Sequence, residues 1–146
     1  MKELGKNGWY AKDVGPFLKK AGYSNRVENS MGQGMADNWY AIDGTQGALE
    51  TKIVKGNQIY FRQFQIPWML AMRRHSYAVW VLALLNDEDT VILINAEQFR
   101  TVELGKSGRY TTVKVQNLKP KFAGSRQDST FWEGLRIHLG SHGPLE

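Results

Sequence analysis

Apolar and polar positions follow two different periods along this chain, and the switches between them mark its elements. Ala36 to Ile42 (A-D-N-W-Y-A-I) and Ala48 to Val54 (A-L-E-T-K-I-V) read as strands. Asp43-Gly44-Thr45-Gln46-Gly47 between them carries the turn chemistry of a hairpin loop. Lys55-Gly56-Asn57 then turns the chain into a short strand at Gln58 to Tyr60. Phe61, Phe64, Trp68, Met69 and Met72 recur at helical spacing. They predict a helix that starts near Gln63 or Gln65, so that Pro67 falls in its first turn, and ends at Arg73-Arg74-His75. Tyr77 to Leu85 is an unbroken apolar run, expected of a strand buried on both faces. Asn86 to Asp89 is an acidic turn, Thr90 to Ile94 another strand, and Asn95 to Phe99 a short helical turn.

The flanks are less regular. Residues 9–21 predict a short helix starting near Asp13, with Pro16 in its first turn and Gly22 ending it. The helix is expected to resume, or turn irregular, through Arg26, Val27 and Glu28, before a polar, Gly-containing connection over 29–34. Beyond residue 100, two β-rich stretches, 101–104 and 109–116, flank Gly105-Lys106-Ser107-Gly108 and read as a basic hairpin. Leu118 to Asp128 reads as a basic loop. Phe131, Leu135 and Leu139 predict a helix over 130–139. The expected architecture is α/β: a central mixed β-sheet flanked by helices, with a basic C-terminal β-hairpin/loop appendage. At 146 residues it is one domain, its core at about 9–99 and its appendage at about 100–146.

One interruption of the apolar pattern carries chemistry. Glu50-Thr51-Lys52 lies inside an otherwise apolar strand, and alternation puts Glu50 and Lys52 on one face and Thr51 on the other. Asp37 stands thirteen residues earlier and Glu28 nine before that. Three carboxylates and a lysine make a minimal kit for metal-assisted attack on a phosphodiester. The hairpin register decides whether they meet. If paired residue numbers add to 89, Asp37 faces Lys52 and shares a face with Glu50. If they add to 90, Asp37 falls on the opposite face, and a bulge or bend near Ala36 must re-aim it. Both registers are open at this level.

Composition and charge narrow the function classes. The 42% hydrophobic content and five Trp describe a folded protein. There is no cysteine, hence neither disulfides nor thiolate metal sites. No segment reads as a secretory signal or a bilayer span, so no membrane partner and a cytoplasmic location are expected. The net charge of +5 is unevenly spread. Residues 27–99 carry five Lys/Arg against eight acids, whereas 100–126 carry seven against Glu103 alone. An acidic centre between basic flanks suits a metal site serving a polyanion. The candidate DNA contacts are Arg73 and Arg74 at the helix end, then Lys106, Arg109 and Lys114, then Lys119, Lys121 and Arg126. His75, His138 and His142 form no ligand spacing. No Ser-His-Asp or Cys-His arrangement supports a different hydrolase.

Over residues 26–85 the constellation resembles the PD-(D/E)XK nuclease superfamily, and within it the small phage and archaeal Holliday junction resolvase-like enzymes. Gly34-Met35-Ala36-Asp37 is similar to that family's G-x-P-D, with alanine in place of the proline. Glu50-Thr51-Lys52 is similar to its E-x-K, Gln65-Ile66-Pro67-Trp68 to its Q-x-x-W, and Glu28 to its helix-borne glutamate. The resemblance implies a restriction-endonuclease-like core and a metal-dependent DNA endonuclease that leaves a 5′-phosphate. It implies Mg²⁺, with Mn²⁺ able to substitute, held by Asp37, Glu50, the Thr51 carbonyl and Glu28, with no small-molecule cofactor. Lys52 and Gln65 complete the catalytic set, acting on the attacking water and the developing charge. DNA, branched in the resolvase case, is the expected partner. A resolvase also implies a homodimer, for which Trp9, Tyr10 and Trp132 are candidate contacts, and host cytoplasm for a phage chain. The alternatives are a nuclease of duplex, flap or single-stranded DNA, and a non-catalytic DNA-binding module of the same fold.

Overall fold

A two-residue turn sets the register of the central sheet. The computed structural model describes residues 4–27, 35–105 and 110–141. In it, β2 (Asn38–Ile42) and β3 (Thr45–Ile53) are antiparallel and joined by Asp43-Gly44 alone. Asp43 has φ 51° and Gly44 φ 81°, the pair of positive values that a type I′ hairpin turn needs. Thr45, Gln46 and Gly47 therefore belong to β3 and not to a five-residue loop. The register runs from Ile42 opposite Thr45 to Asn38 opposite Leu49, so paired numbers add to 87 and neither expected register is adopted. Gly47 is required in this pairing. A Cβ there would lie 2.4 Å from the Tyr40 ring that crosses it.

The sheet has the order β1-β2-β3-β5-β6-β8, with β5 (Ala78–Leu84), β6 (Thr90–Asn95) and β8 (Phe122–Ser125). Only β3 and β5 run parallel; the other neighbours are antiparallel, so the sheet is mixed. The crossover from β3 to β5 passes through β4 (Gln58–Phe61) and the helix Gln65–Arg74, called α3 after the two N-terminal helices below. Pro67 sits in the first turn of α3, where its missing N–H breaks no helical bond.

Four expectations change. The N-terminal helix starts at Lys6, not Asp13: α1 (Lys6–Trp9) runs into a π turn (Tyr10–Val14) and then α2 (Gly15–Ala21). The wide turn comes just before Pro16, which cannot donate to a preceding carbonyl. Next, Tyr23–Arg26 is β1, an edge strand on β2, where helical or irregular chain was expected. It has no buried residue, and so no apolar period to read. The basic hairpin does not form. Residues 102–105 are irregular, and β7 (Thr111–Lys114) pairs with the distant β4 in a separate two-stranded sheet, where Val113 meets Ile59. Finally, the basic loop contains β8, which closes the far edge of the main sheet.

Helices and the small sheet cover both faces. Trp9, Val14 and Leu18 join Phe131, Leu135 and Leu139 of α4 (Ser129–Leu139) against Leu49, Trp80, Leu82 and Leu93. On the other face Ile59, Phe61, Ile66 and Met69 pack on Ala48, Val79, Val81 and Ile94. All seven residues of β5 are buried, as its continuous apolar run requires. Trp9 and Tyr10 are buried in their own chain's core, and Trp132 is half-buried against Phe17. No helix among the described residues is long and apolar enough to cross a membrane.

The close approach of Gly47 to Tyr40 yields a test. Gly47→Ala should cost about 1–3 kcal/mol in urea unfolding. Much of that loss should return in a Tyr40→Leu background, where the ring no longer opposes the added methyl. Equal losses in both backgrounds would count against this packing.

Candidate active site

The site grows from the end of β3. Glu50 and Lys52 point to the α3 side of the sheet, and Thr51 points to the side of the N-terminal helices. Glu50 is 1% exposed and Thr51 fully buried. Asp37 lies one residue before β2, across from Glu50, in a bend and not in the regular strand. Its backbone N–H donates to Glu50 Oε1 (3.1 Å). Its carboxylate turns the other way and accepts from Thr51 N–H (3.2 Å) and Thr51 Oγ1 (2.5 Å). Asp37 thus touches Glu50 through its backbone and Thr51 through its side chain, from a bend of the kind the second expected register required near Ala36.

Gln65, the first residue of α3, ties the other side together. Its Nε2 donates to Glu50 Oε2 (3.2 Å), and its Oε1 accepts from Lys52 Nζ (2.8 Å) and from the Arg62 backbone N–H (2.8 Å). The amide therefore serves three partners and fixes the lysine against the carboxylate. Lys52 Nζ lies 3.5 Å from Glu50 Oε2 and 4.9 Å above the centre of the Phe61 ring. Its side chain is 12% exposed.

Lys6, the first residue of α1, completes the cluster and was not among the expected residues. Its Nζ is 3.0 Å from Asp37 Oδ2 and 3.6 Å from Glu50 Oε2. The signal for it was present. Lys6 precedes Tyr10 by four residues and so shares its helix face, but only if the helix is started at Gly5.

The charges perturb one another. Burial pushes the Glu50 carboxyl up to about 7; the neighbouring Asp37 charge adds to this, while the Lys52 and Lys6 ammoniums oppose it. Burial would also raise Asp37, but the Lys6 charge and the Thr51 donors outweigh it and hold the carboxyl below its ordinary range. Burial lowers Lys52, against the pull of Glu50. Two carboxylates thus face two ammoniums, one carboxylate firmly ionised and the other near its midpoint at neutral pH.

The other expected residues are distributed differently. Glu28, Lys106 and Arg109 lie outside the described residues, as does His142. Arg73 is 1% exposed and pairs with Glu97 (3.3 Å) while donating to the Tyr77 carbonyl (3.1 Å). It is a core residue, because its position on α3 places it behind Met69 on the inward face. Arg126 is also committed, to Asp13 (3.2 Å) and the Glu88 carbonyl (2.9 Å). Arg74, Lys114, Lys119 and Lys121 are exposed. None is at the cluster. Lys114 pairs with Gln58, at the opposite end of the small sheet from Phe61. Lys119 and Lys121 lead into β8, three strands from β3 and hence about 14 Å away. His138 packs on the Phe122 ring.

The donor set can be tested against a divalent cation. Asp37 and Glu50 offer oxygen atoms only, which suits Mg²⁺ or Mn²⁺ and not a soft metal. A cationic group, the Lys6 ammonium, already stands between them. Thr51 enters here as a donor to Asp37 through its N–H and hydroxyl. Among the described residues no three His, Asp or Glu side chains converge on a metal position. Two carboxylates suffice for Mg²⁺, which retains waters and substrate phosphate oxygens in its shell.

No family model matches the sequence, and no curated protein does. Solved structures do. Hjc, a Holliday junction resolvase from the archaeal hyperthermophile Archaeoglobus fulgidus, superposes with a TM-score of 0.53 at 17% identity, over 78% of this chain and 88% of that one. A nuclease from a fusselovirus gives 0.49 at 13% identity, over 91% and 82%. The fold is therefore shared with Hjc, a restriction-endonuclease-like arrangement with a central mixed sheet between helices.

The raised Glu50 pKa gives a pH signature. Its contribution to stability is fully present below the ordinary carboxylate range and is lost as pH rises through about 7. Metal-free wild type should therefore lose up to about 3 kcal/mol from this group between pH 4.5 and 8. Urea titrations of wild type and Glu50→Gln across that range isolate it, since other groups titrate in both. Parallel curves would show that Glu50 is not perturbed in this way.

Proposed function

We propose that this chain is a metal-dependent DNA endonuclease that hydrolyses phosphodiester bonds. The observation that carries the reading is the convergence of Asp37, Glu50, Lys52 and Gln65 in one buried, hydrogen-bonded cluster on a PD-(D/E)XK fold. Asp37 and Glu50 would hold Mg²⁺ or Mn²⁺. The ion, when bound, supplies Lewis-acid polarisation of the phosphate and a water of lowered pKa. Thr51 fixes the Asp37 carboxylate for this task through two donors. Lys52 is held with its ammonium aimed by Gln65 and Glu50, so it can donate to the attacking water or to a non-bridging phosphate oxygen as charge develops. Gln65 keeps that ammonium from drifting and links it to the backbone at Arg62.

Branched DNA is the proposed substrate, a reading supported by likeness to Hjc, itself a Holliday junction resolvase. Symmetric cutting of a junction needs two active centres, so the reading includes a two-fold dimer. The exposed Arg74, Lys114, Lys119 and Lys121 are proposed phosphate contacts.

Cleavage of a matched panel tests this: four-way junction, flap, linear duplex and single strand, each with Mg²⁺. Wild type should place paired symmetric nicks in the junction. Lys52→Ala and Asp37→Asn should slow cleavage by about 100-fold or more while retaining junction binding. Cutting of duplex or flap instead would keep the site and discard the junction. Tight, salt-sensitive binding without cleavage in Mg²⁺ or Mn²⁺ would make the chain a DNA-binding module.

A further inference from the structure

The two lysines of the site differ in how they are held. Lys52 is 12% exposed, points into the α3 layer and is fixed by Gln65 Oε1 at 2.8 Å and by Glu50. Lys6 is 37% exposed, and among the described residues its ammonium pairs with the two carboxylates, at 3.0 and 3.6 Å. It stands at the first position of α1, directly after Gly5, where no intrahelical bond depends on its side chain. Its four-carbon stem can swing the ammonium into water without disturbing the helix. The contacts that Lys6 makes, Asp37 Oδ2 and Glu50 Oε2, belong to the two carboxylates that would receive a divalent cation.

We propose that Lys6 is a tethered, displaceable counter-ion that occupies the divalent-metal position of this site and competes with the metal for it. The inference rests on the metal-dependent reading above and adds to it a residue that sets the metal threshold. The physical reason is mutual exclusion. An ammonium and a divalent cation cannot share Asp37 and Glu50 within about 4 Å of each other without strong repulsion. Without metal, Lys6 neutralises two carboxylates that would otherwise have Lys52 as their one counter-charge among the described residues. With metal, it gives up both contacts and moves to solvent. Lys52 keeps a partner in either state, because it also donates to Gln65 Oε1, which is no carboxylate oxygen.

This role separates from a structural one by the sign of two effects. Lys6→Met and Lys6→Gln should each bind Mn²⁺ about 5-fold more tightly than wild type in calorimetric titration, since the competitor is gone. The same variants should melt at lower temperature than wild type without metal, and the deficit should vanish or reverse at saturating Mn²⁺. A helix contact with no part in metal binding would lower melting equally in both conditions. Asp37→Asn, measured alongside, should remove Mn²⁺ binding. Unchanged or weaker Mn²⁺ affinity in both Lys6 variants, with Asp37→Asn still abolishing it, would overturn the inference and leave the metal reading standing. Absence of Mn²⁺ binding in wild type and in both Lys6 variants would overturn both.

Discussion

The architecture of the site turns on one buried carboxylate. Glu50 is 1% exposed in the middle of a sheet, where a lone charge would cost several kcal/mol. It is tolerated because an N–H from Asp37, an amide from Gln65 and two ammoniums, Lys52 and Lys6, surround it. Each partner comes from a different element: the lead-in to β2, the start of α3, β3 itself and the start of α1. The desolvation that raises its pKa also strengthens each contact it makes, because little water screens them.

The layering explains how so few residues suffice. Glu50 and Lys52 face the α3 layer, Thr51 faces the N-terminal helices, and Asp37 reaches across because it lies beyond the end of β2. A carboxylate in a regular strand position would be confined to one face by the pleat. The bend at Asp37 frees its side chain to take Thr51 as a donor while its backbone serves Glu50. The main sheet supplies rigidity, and the irregular point at the start of β2 supplies reach.

Much of this was legible in the sequence, for physical reasons that also explain the misses. The strands around Glu50, the buried β5 run and the α3 start at Gln65 are local, strongly periodic features, and the residue types at 37, 50, 52 and 65 carried the site. The register was not legible, because Asp43-Gly44 closes a two-residue turn and the apolar residues of β2 and β3 fit more than one loop length. The partner of β7 was missed because its apolar face fits β4, some fifty residues away, and nothing local signals that pairing. Arg73 reads as a helix-end base, yet the 3.6-residue period places it inward, where Glu97 meets it. Lys6 was missed because the helix was started at its first acidic residue, Asp13, which serves Arg126 and caps nothing.

The distribution of basic residues limits how far charge alone can define function here. Two of the basic side chains that looked free in sequence, Arg73 and Arg126, are neutralised within the fold, and the exposed ones lie on several faces. Net charge favours attraction of a polyanion in general. It does not aim a phosphodiester at Glu50. Under the proposed function that aim would come from groups fixed beside the carboxylate, and Lys52 is held there by Gln65, Glu50 and the Phe61 ring together. The same cluster that makes Glu50 tolerable in the core also fixes the Lys52 ammonium, so under the proposed function stability and chemistry would rest on the same hydrogen bonds.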